Sequence, residues 1–150
     1  MISVSQTDID HVQQIIAPLL GQKAWGVSLG VGSSLTTEFG APILDEPNAK
    51  KQHGEWHLWT YFCVWRLERQ NRILVGAEDS WDRIASAIRH LENKSLKSVE
   101  LFAPAWDSIF HFEDDILLRS FSIITFEEDA EHWKLFTPNG KVILLGPGSS

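Results

Sequence analysis

Apolar residues along this chain fall into two helical stripes and a longer series of strand-like alternations. Over residues 7–20, Ile9, Val12, Ile16, Leu19 and Leu20 recur at helical spacing and make one apolar face. Thr7 is placed to cap this helix, and Asp8 and Asp10 sit in its first turn, where the helix dipole favours acids. Pro18 is expected to bend or end the last turn, with Gly21 following as the C′ residue. A second stripe, Trp81, Ile84, Ala85, Ile88 and Leu91, spans 80–91 behind Asp79 or Ser80 as cap and is suited to packing on a sheet.

Elsewhere the period is two. The densest stretch is 55–68, EWHLWTYFCVWRLE, which holds three of the seven tryptophans. Alternation puts Trp56, Leu58, Thr60, Phe62, Val64 and Arg66 on one face, and His57, Trp59, Tyr61, Cys63, Trp65 and Leu67 on the other. Both faces are apolar through the middle and polar at the ends. This fits a long central strand covered on two sides, or one that twists from one layer to the next. Residues 58–64 are expected to be buried on both faces.

Before this spine, residues 23–39 read as a hairpin. Trp25, Val27, Leu29 and Val31 alternate with Gly26, Ser28 and Gly30, a nearly bare face that invites a bulge or a close backbone approach. The turn signal is Gly32-Ser33, and Leu35, Thr37 and Phe39 begin the return. Residues 40–54 carry two prolines, two glycines and mixed charge, and predict a long loop.

After the spine, a turn at 69–71 leads to a strand over 73–77. Beyond the second helix come strands over 98–103, 108–112 and 116–126, the last rich in β-branched and aromatic residues. A final hairpin pairs 132–136 with 141–145 across Thr137-Pro138-Asn139-Gly140, and Asn-Gly is the strongest short hairpin signal in the chain. Short links between successive strands favour antiparallel pairing. The expectation is a single α+β domain over 1–150: a curved antiparallel sheet of about nine strands, or two sheets, with two helices packed on it.

Composition narrows the function classes. At 150 residues, with 43% hydrophobic and 22% charged residues, the chain is of ordinary globular type. The net charge of −7 argues against nucleic acid and against anionic membrane surfaces, and permits a basic protein partner. The single cysteine, Cys63, rules out an internal disulfide and a cysteine metal cluster, and its place mid-strand suits a small buried hydrophobe. The opening MISVSQTDIDHVQQ has no basic region followed by an apolar run, and no apolar stretch reaches transmembrane length, so a cytoplasmic protein is expected.

Three clusters are candidates for chemistry. His53, Glu55 and His57 share one strand face at the entrance to the spine. Two histidines and a carboxylate can bind a metal, while a solvated strand entrance needs no ligand at all. His111 lies on the same strand face as Asp107 and Glu113, a candidate acid–base arrangement or an exposed histidine among turn residues. The acidic turns, Glu113, Asp114 and Asp115 in one and Glu127, Glu128, Asp129 and Glu131 in the other, hold seven of the twenty acids. Brought to one end of the sheet, they would form a negative patch able to steer a basic partner. The serines and threonines of 28–37 form no nucleophile elbow, and Gly30-Val31-Gly32 lacks the rest of a dinucleotide fingerprint. No metal or cofactor is expected.

Glu38-Phe39-Gly40, His57-Leu58-Trp59 with Trp65-Arg66-Leu67, and the ending Trp133-Lys134-Leu135-Phe136-Thr137-Pro138-Asn139-Gly140 carry a resemblance. It is to compact bacterial domains without an assigned activity, some of which sit beside toxin genes and look like immunity proteins. The resemblance covers about half the chain, implies a binding role, and supplies no catalytic residue. Two alternatives stand beside an immunity-like inhibitor of a basic partner. One is a small-ligand or metal-dependent enzyme with an aromatic-lined pocket and His57, Glu55 or His111 at its mouth. The other is a homodimer built on an exposed strand edge.

Overall fold

The computed structural model describes residues 4–30, 34–44, 52–60, 63–123 and 131–146. Among them are two helices, α1 (Gln6–Ile16) and α2 (Trp81–Ala87), and ten strands. In chain order the strands are β1 (Ala24–Leu29), β2 (Leu35–Leu44), β3 (Gln52–Thr60), β4 (Cys63–Arg69), β5 (Arg72–Gly76), β6 (Leu96–Phe102), β7 (Asp107–Phe112), β8 (Ile116–Ser122), β9 (Trp133–Phe136) and β10 (Val142–Leu145). They form two five-stranded sheets, ordered β1-β2-β3-β9-β10 and β5-β4-β8-β7-β6, and every pairing is antiparallel. The fold is α+β, in the two-sheet form of the expectation.

The spine over 55–68 is not one strand. β3 lies at the centre of the first sheet and β4 in the second, so the chain changes layer between them. Burial records the change. Trp56, Leu58 and Thr60 are buried in β3, whereas Trp65 and Leu67 are buried in β4. Even-numbered positions face the core before the crossing and odd-numbered positions after it. A single alternation cannot do both, because a one-residue slip turns every later side chain to the opposite face. Among the described side chains, burial on both faces of 58–64 fails for the same reason: Leu58 and Thr60 are buried, while Trp59 and Val64 are half-buried, and the side chains of 61–63 lie outside the description.

Much of the predicted loop over 40–54 is also strand. β2 continues to Leu44 and β3 begins at Gln52, with 45–51 outside the described residues. The register slips between Phe39 and Pro42, a bulge that seats Gly40 at φ +81° and lets Pro42 pair with Gly54. Gly54 is required there by close approach: a Cβ on it would lie 2.2 Å from the Phe39 carbonyl oxygen. These glycines mark a bulged ladder, which has the same composition as a loop. The bare face of β1 likewise bulges, between Trp25 and Ser28, with Gly26 at φ +60°.

Helix α1 starts one residue before the expected cap. The Ser5 hydroxyl accepts from the Asp8 N–H, and the Asp8 carboxylate accepts from the Ser5 N–H, each at 3.1 Å. Pro18 falls in a 3₁₀ turn, Ala17–Leu19, that closes the helix. Helix α2 is capped by Ser80 and tightens into a 3₁₀ turn over Ile88–Leu91. Its stripe buries Ile84, Ile88 and Leu91, but Trp81 is 64% exposed and does not join it. Trp81 is the first residue of the helix.

The core lies between the sheets. Phe39 stacks on Phe112 at 6.5 Å between centroids, and Phe110 meets Trp133 edge-on at 5.4 Å. α2 packs on β5 and β1, and α1 on β6, where the Gln13 amide donates to the Val99 carbonyl at 2.6 Å. A polar cluster is buried at one end. Trp133 Nε1–H donates to Ser108 Oγ at 2.9 Å, and the Ser108 hydroxyl donates to the Trp106 carbonyl at 2.7 Å. His132 Nε2 sits 2.8 Å from that carbonyl and Nδ1 3.2 Å from Ser120 Oγ. Among the described residues, no helix is long and apolar enough to cross a membrane.

Candidate functional site

The outer face of the first sheet gathers polar and aromatic side chains that are far apart in sequence. On β2, Leu35, Thr37 and Phe39 face the core, so Thr36 and Glu38 face outward. On β3, Trp56, Leu58 and Thr60 face the core, so His57 and Trp59 face outward. The antiparallel register aligns these positions into two ladders across all five strands. One reads Trp25, Glu38, His57, Phe136 and Val142. The next reads Ser28, Thr36, Trp59, Lys134 and Leu144.

Glu38 is the unusual member. It belongs to the outer face yet is only 5% exposed. Gly26 allows this, since a Cβ there would stand 3.2 Å from Glu38 Cγ. One Glu38 oxygen accepts the Gly54 N–H at 2.9 Å, and the other pairs closely with His57 Nδ1. His57 is thereby held upright, its ring 5.4 Å from that of Phe136. Trp25 is anchored by an indole N–H bond to the Gly40 carbonyl at 2.9 Å. The Ser28 and Thr36 hydroxyls bond each other at 2.6 Å.

Two shallow cavities flank the histidines. One of about 320 Å³ is lined by His53, His57, Trp59 and Phe136. The other, about 400 Å³, runs from His53 and His57 over Glu38 and Thr36 to Trp25 and Ser28. Because they share both histidines, they are two lobes of one groove. Each is within the range of about 300–1,000 Å³ typical of small-ligand sites. One lobe is walled by rings, the other by oxygen-bearing side chains and the Trp25 ring. Lys134 Nζ lies 5.5 Å from the Trp59 ring centroid, within cation–π range.

Of the residues expected at the strand entrance, His53 and His57 line the groove, but Glu55 does not. Its carboxylate accepts the Ala41 N–H at 2.7 Å and supports the bulge. Alternation along β3 placed the three on one face, and the Gly40 bulge then drew the carboxylate away. Among the described residues, no group of three or more His, Cys, Asp or Glu side chains is arranged to hold a metal ion. Glu38, the carboxylate that does meet His57, is nineteen positions away. Spacing carries no sign of it. The nearest signal is the bare Gly26 position, which leaves room for a buried side chain on the neighbouring strand.

The other expected clusters are resolved differently. His111 pairs with Glu100 across the β6–β7 ladder at 2.5 Å, not with Asp107 or Glu113. Burial pushes the Asp107 carboxyl above its ordinary pKa. Glu113 accepts the Ser95 N–H at 2.6 Å, and hydrogen bonding from the Ser95 side chain and backbone holds its pKa below the usual value. Asp114 is bonded to Lys94, with Arg69 at 3.9 Å, and the Lys94 contact holds its pKa low as well. Two of the three acids in this turn are therefore committed to the chain itself, and Asp115 stands exposed beside them. Glu127, Glu128 and Asp129 lie outside the described residues.

No protein-family model, curated protein or solved structure gives a significant match to this chain.

Proposed function

We propose that this chain is a binding protein that takes its partner on the outer face of the first sheet. One observation carries the reading: two complete cross-strand ladders bring Trp25, Trp59 and Phe136 around His57 and Glu38 in a single groove. Aromatic rings that remain accessible beside polar groups are the usual anchors of recognition surfaces. The net charge of −7 favours a basic partner, and the resemblance to immunity-like domains favours a protein one. Affinity capture from the native host tests the reading with two baits, the native chain and Thr36→Arg, which fills one lobe with a cation. A stoichiometric partner recovered by the first bait and lost with the second supports it. Equal recovery by both, with the variant shown to be folded, removes this face as the recognition surface.

A second reading is favoured by the His57–Glu38 pair. With Nδ1 held by the carboxylate, Nε2 faces the groove and can pass a proton to or from a bound ligand. In that case a screen with chromogenic esters and glycosides finds turnover, and His57→Gln lowers it at least about a hundredfold. An absence of turnover, or turnover indifferent to the substitution, counts against it.

A further inference from the structure

We propose that the groove takes a guanidinium-bearing side chain of a basic protein partner, with the Glu38 carboxylate beneath it as the counter-charge. This rests on reading the outer face of the first sheet as the recognition surface, and goes further by naming the chemical group that enters.

Three observations converge on a cation. The first is the buried carboxylate. Glu38 is 5% exposed, and among the described residues its partners are the Gly54 N–H and His57, while no lysine or arginine forms an ion pair with it. A carboxylate removed from water in this way stabilises a positive group brought close to it, more strongly than an exposed one does. The second is the hydrogen-bonding character of the wall. His57 pairs with Glu38 through Nδ1, so Nε2 is the ring nitrogen left for a ligand. The Thr36 hydroxyl donates to the Ser28 carbonyl and accepts from the Ser28 hydroxyl, which leaves oxygen lone pairs toward the groove. A wall rich in acceptors calls for a ligand rich in donors.

The third is the use the chain already makes of these rings. Lys134 Nζ stands over Trp59 at 5.5 Å, so the ring holds a cation from its own sheet. A guanidinium suits the rest of the groove better than an ammonium. It is planar, stacks on ring faces, and carries five N–H donors in a rigid fork. It also meets the sign of the whole molecule, whose net charge of −7 would draw a basic partner toward any of its faces. Lys134 then competes with the incoming group, and its removal should tighten binding.

The test uses the full chain and two blocked pentapeptides, one carrying two arginines and the other citrulline, the neutral isostere, in their place. Affinity is read by tryptophan fluorescence, and the site by NMR shifts of the Trp25 and Trp59 indole N–H groups. The expected result is saturable binding of the arginine peptide, at least about tenfold weaker binding of the citrulline peptide, and shifts at both indoles. Glu38→Gln should weaken the arginine peptide by about tenfold, and Lys134→Gln should tighten it by about threefold. If Glu38→Gln does not fold, Lys134→Gln carries the test, because that side chain lies on the outer surface of the sheet. Equal binding of the two peptides overturns the proposal, as do shifts confined to the turn around Asp115 or a Lys134→Gln variant that binds no better. So does preferential binding of a neutral oligosaccharide such as maltotriose, or a dimer of this chain that covers the face. A partner whose capture depends on the groove, together with failure of the arginine peptide, removes the cation and leaves the recognition surface standing. Capture indifferent to the groove removes both.

Discussion

His132 should make this fold acid-sensitive in a defined pH window. Its side chain is 0% exposed, and its ring joins β9 to the 103–106 turn through the Trp106 carbonyl and to β8 through Ser120. Burial pushes its pKa down from 6.5 to about 4, only partly opposed by the bond to the Trp106 carbonyl. The unfolded chain therefore takes up a proton at higher pH than the folded one. Stability is complete above about 6.5, falls as the pH drops, and levels off below about 4. At about 1.4 kcal/mol per pH unit, the gap between 6.5 and about 4 amounts to about 3 kcal/mol in all, of which about 2 is lost by pH 5. The assay is urea denaturation, followed by tryptophan fluorescence, from pH 7.5 to 4.5, on the native chain and on His132→Gln. The variant starts lower at pH 7 by about 1–3 kcal/mol, because Trp106 and Ser120 lose good partners. Its curve should then be flatter than the native one by about 2 kcal/mol between pH 7 and 5. Every other ionisable group is common to both proteins, so the difference isolates His132. Parallel curves, or a His132 ring proton titrating near pH 6.5 by NMR in the folded protein, would refute the reasoning.

Other substitutions probe the frame that carries the groove. Gly54→Ala drives a methyl group into the Phe39 backbone and should cost about 3 kcal/mol or more, read as a lowered urea midpoint or as insoluble protein; normal stability would mean that the bulge is not as tight as described. Leu58→Ala empties a fully buried site between the sheets and should cost about 2–5 kcal/mol, whereas Trp81→Ala, at an exposed helix start, should stay within about 0.5 kcal/mol; the reverse order in thermal melts would contradict the burial pattern. Ser5→Ala removes one half of the α1 capping box and should lower stability by about 1 kcal/mol, with Ser5→Asp restoring most of it.

Those features legible from sequence are the ones set within a few residues. Apolar period placed both helices. Ser80 was among the expected caps of α2, and the Asn139-Gly140 turn with Gly140 at φ +79° joins β9 to β10 as expected. Each depends on contacts between neighbours three or four positions apart, so the order of residues contains the information. Composition misled where a bulged ladder and a loop draw on the same residues, as at Gly40, Pro42 and Gly54.

What lay beyond the sequence was parity and register. The aromatic run over 55–68 is apolar on both faces, so nothing in it marks where the chain leaves one sheet for the other. The core settles that point by burying Trp56, Leu58 and Thr60 on one side of the crossing and Trp65 and Leu67 on the other. The groove depends on the same level of structure. His53 and His57 were visible by their spacing, but Glu38 stands opposite His57 because two bulges set how β1, β2 and β3 slide past one another. Period alone determined which residues could share a strand face. Only the packed sheets decided which faces met and which carboxylate lay against which histidine, because register is a balance of contacts summed over the whole ladder.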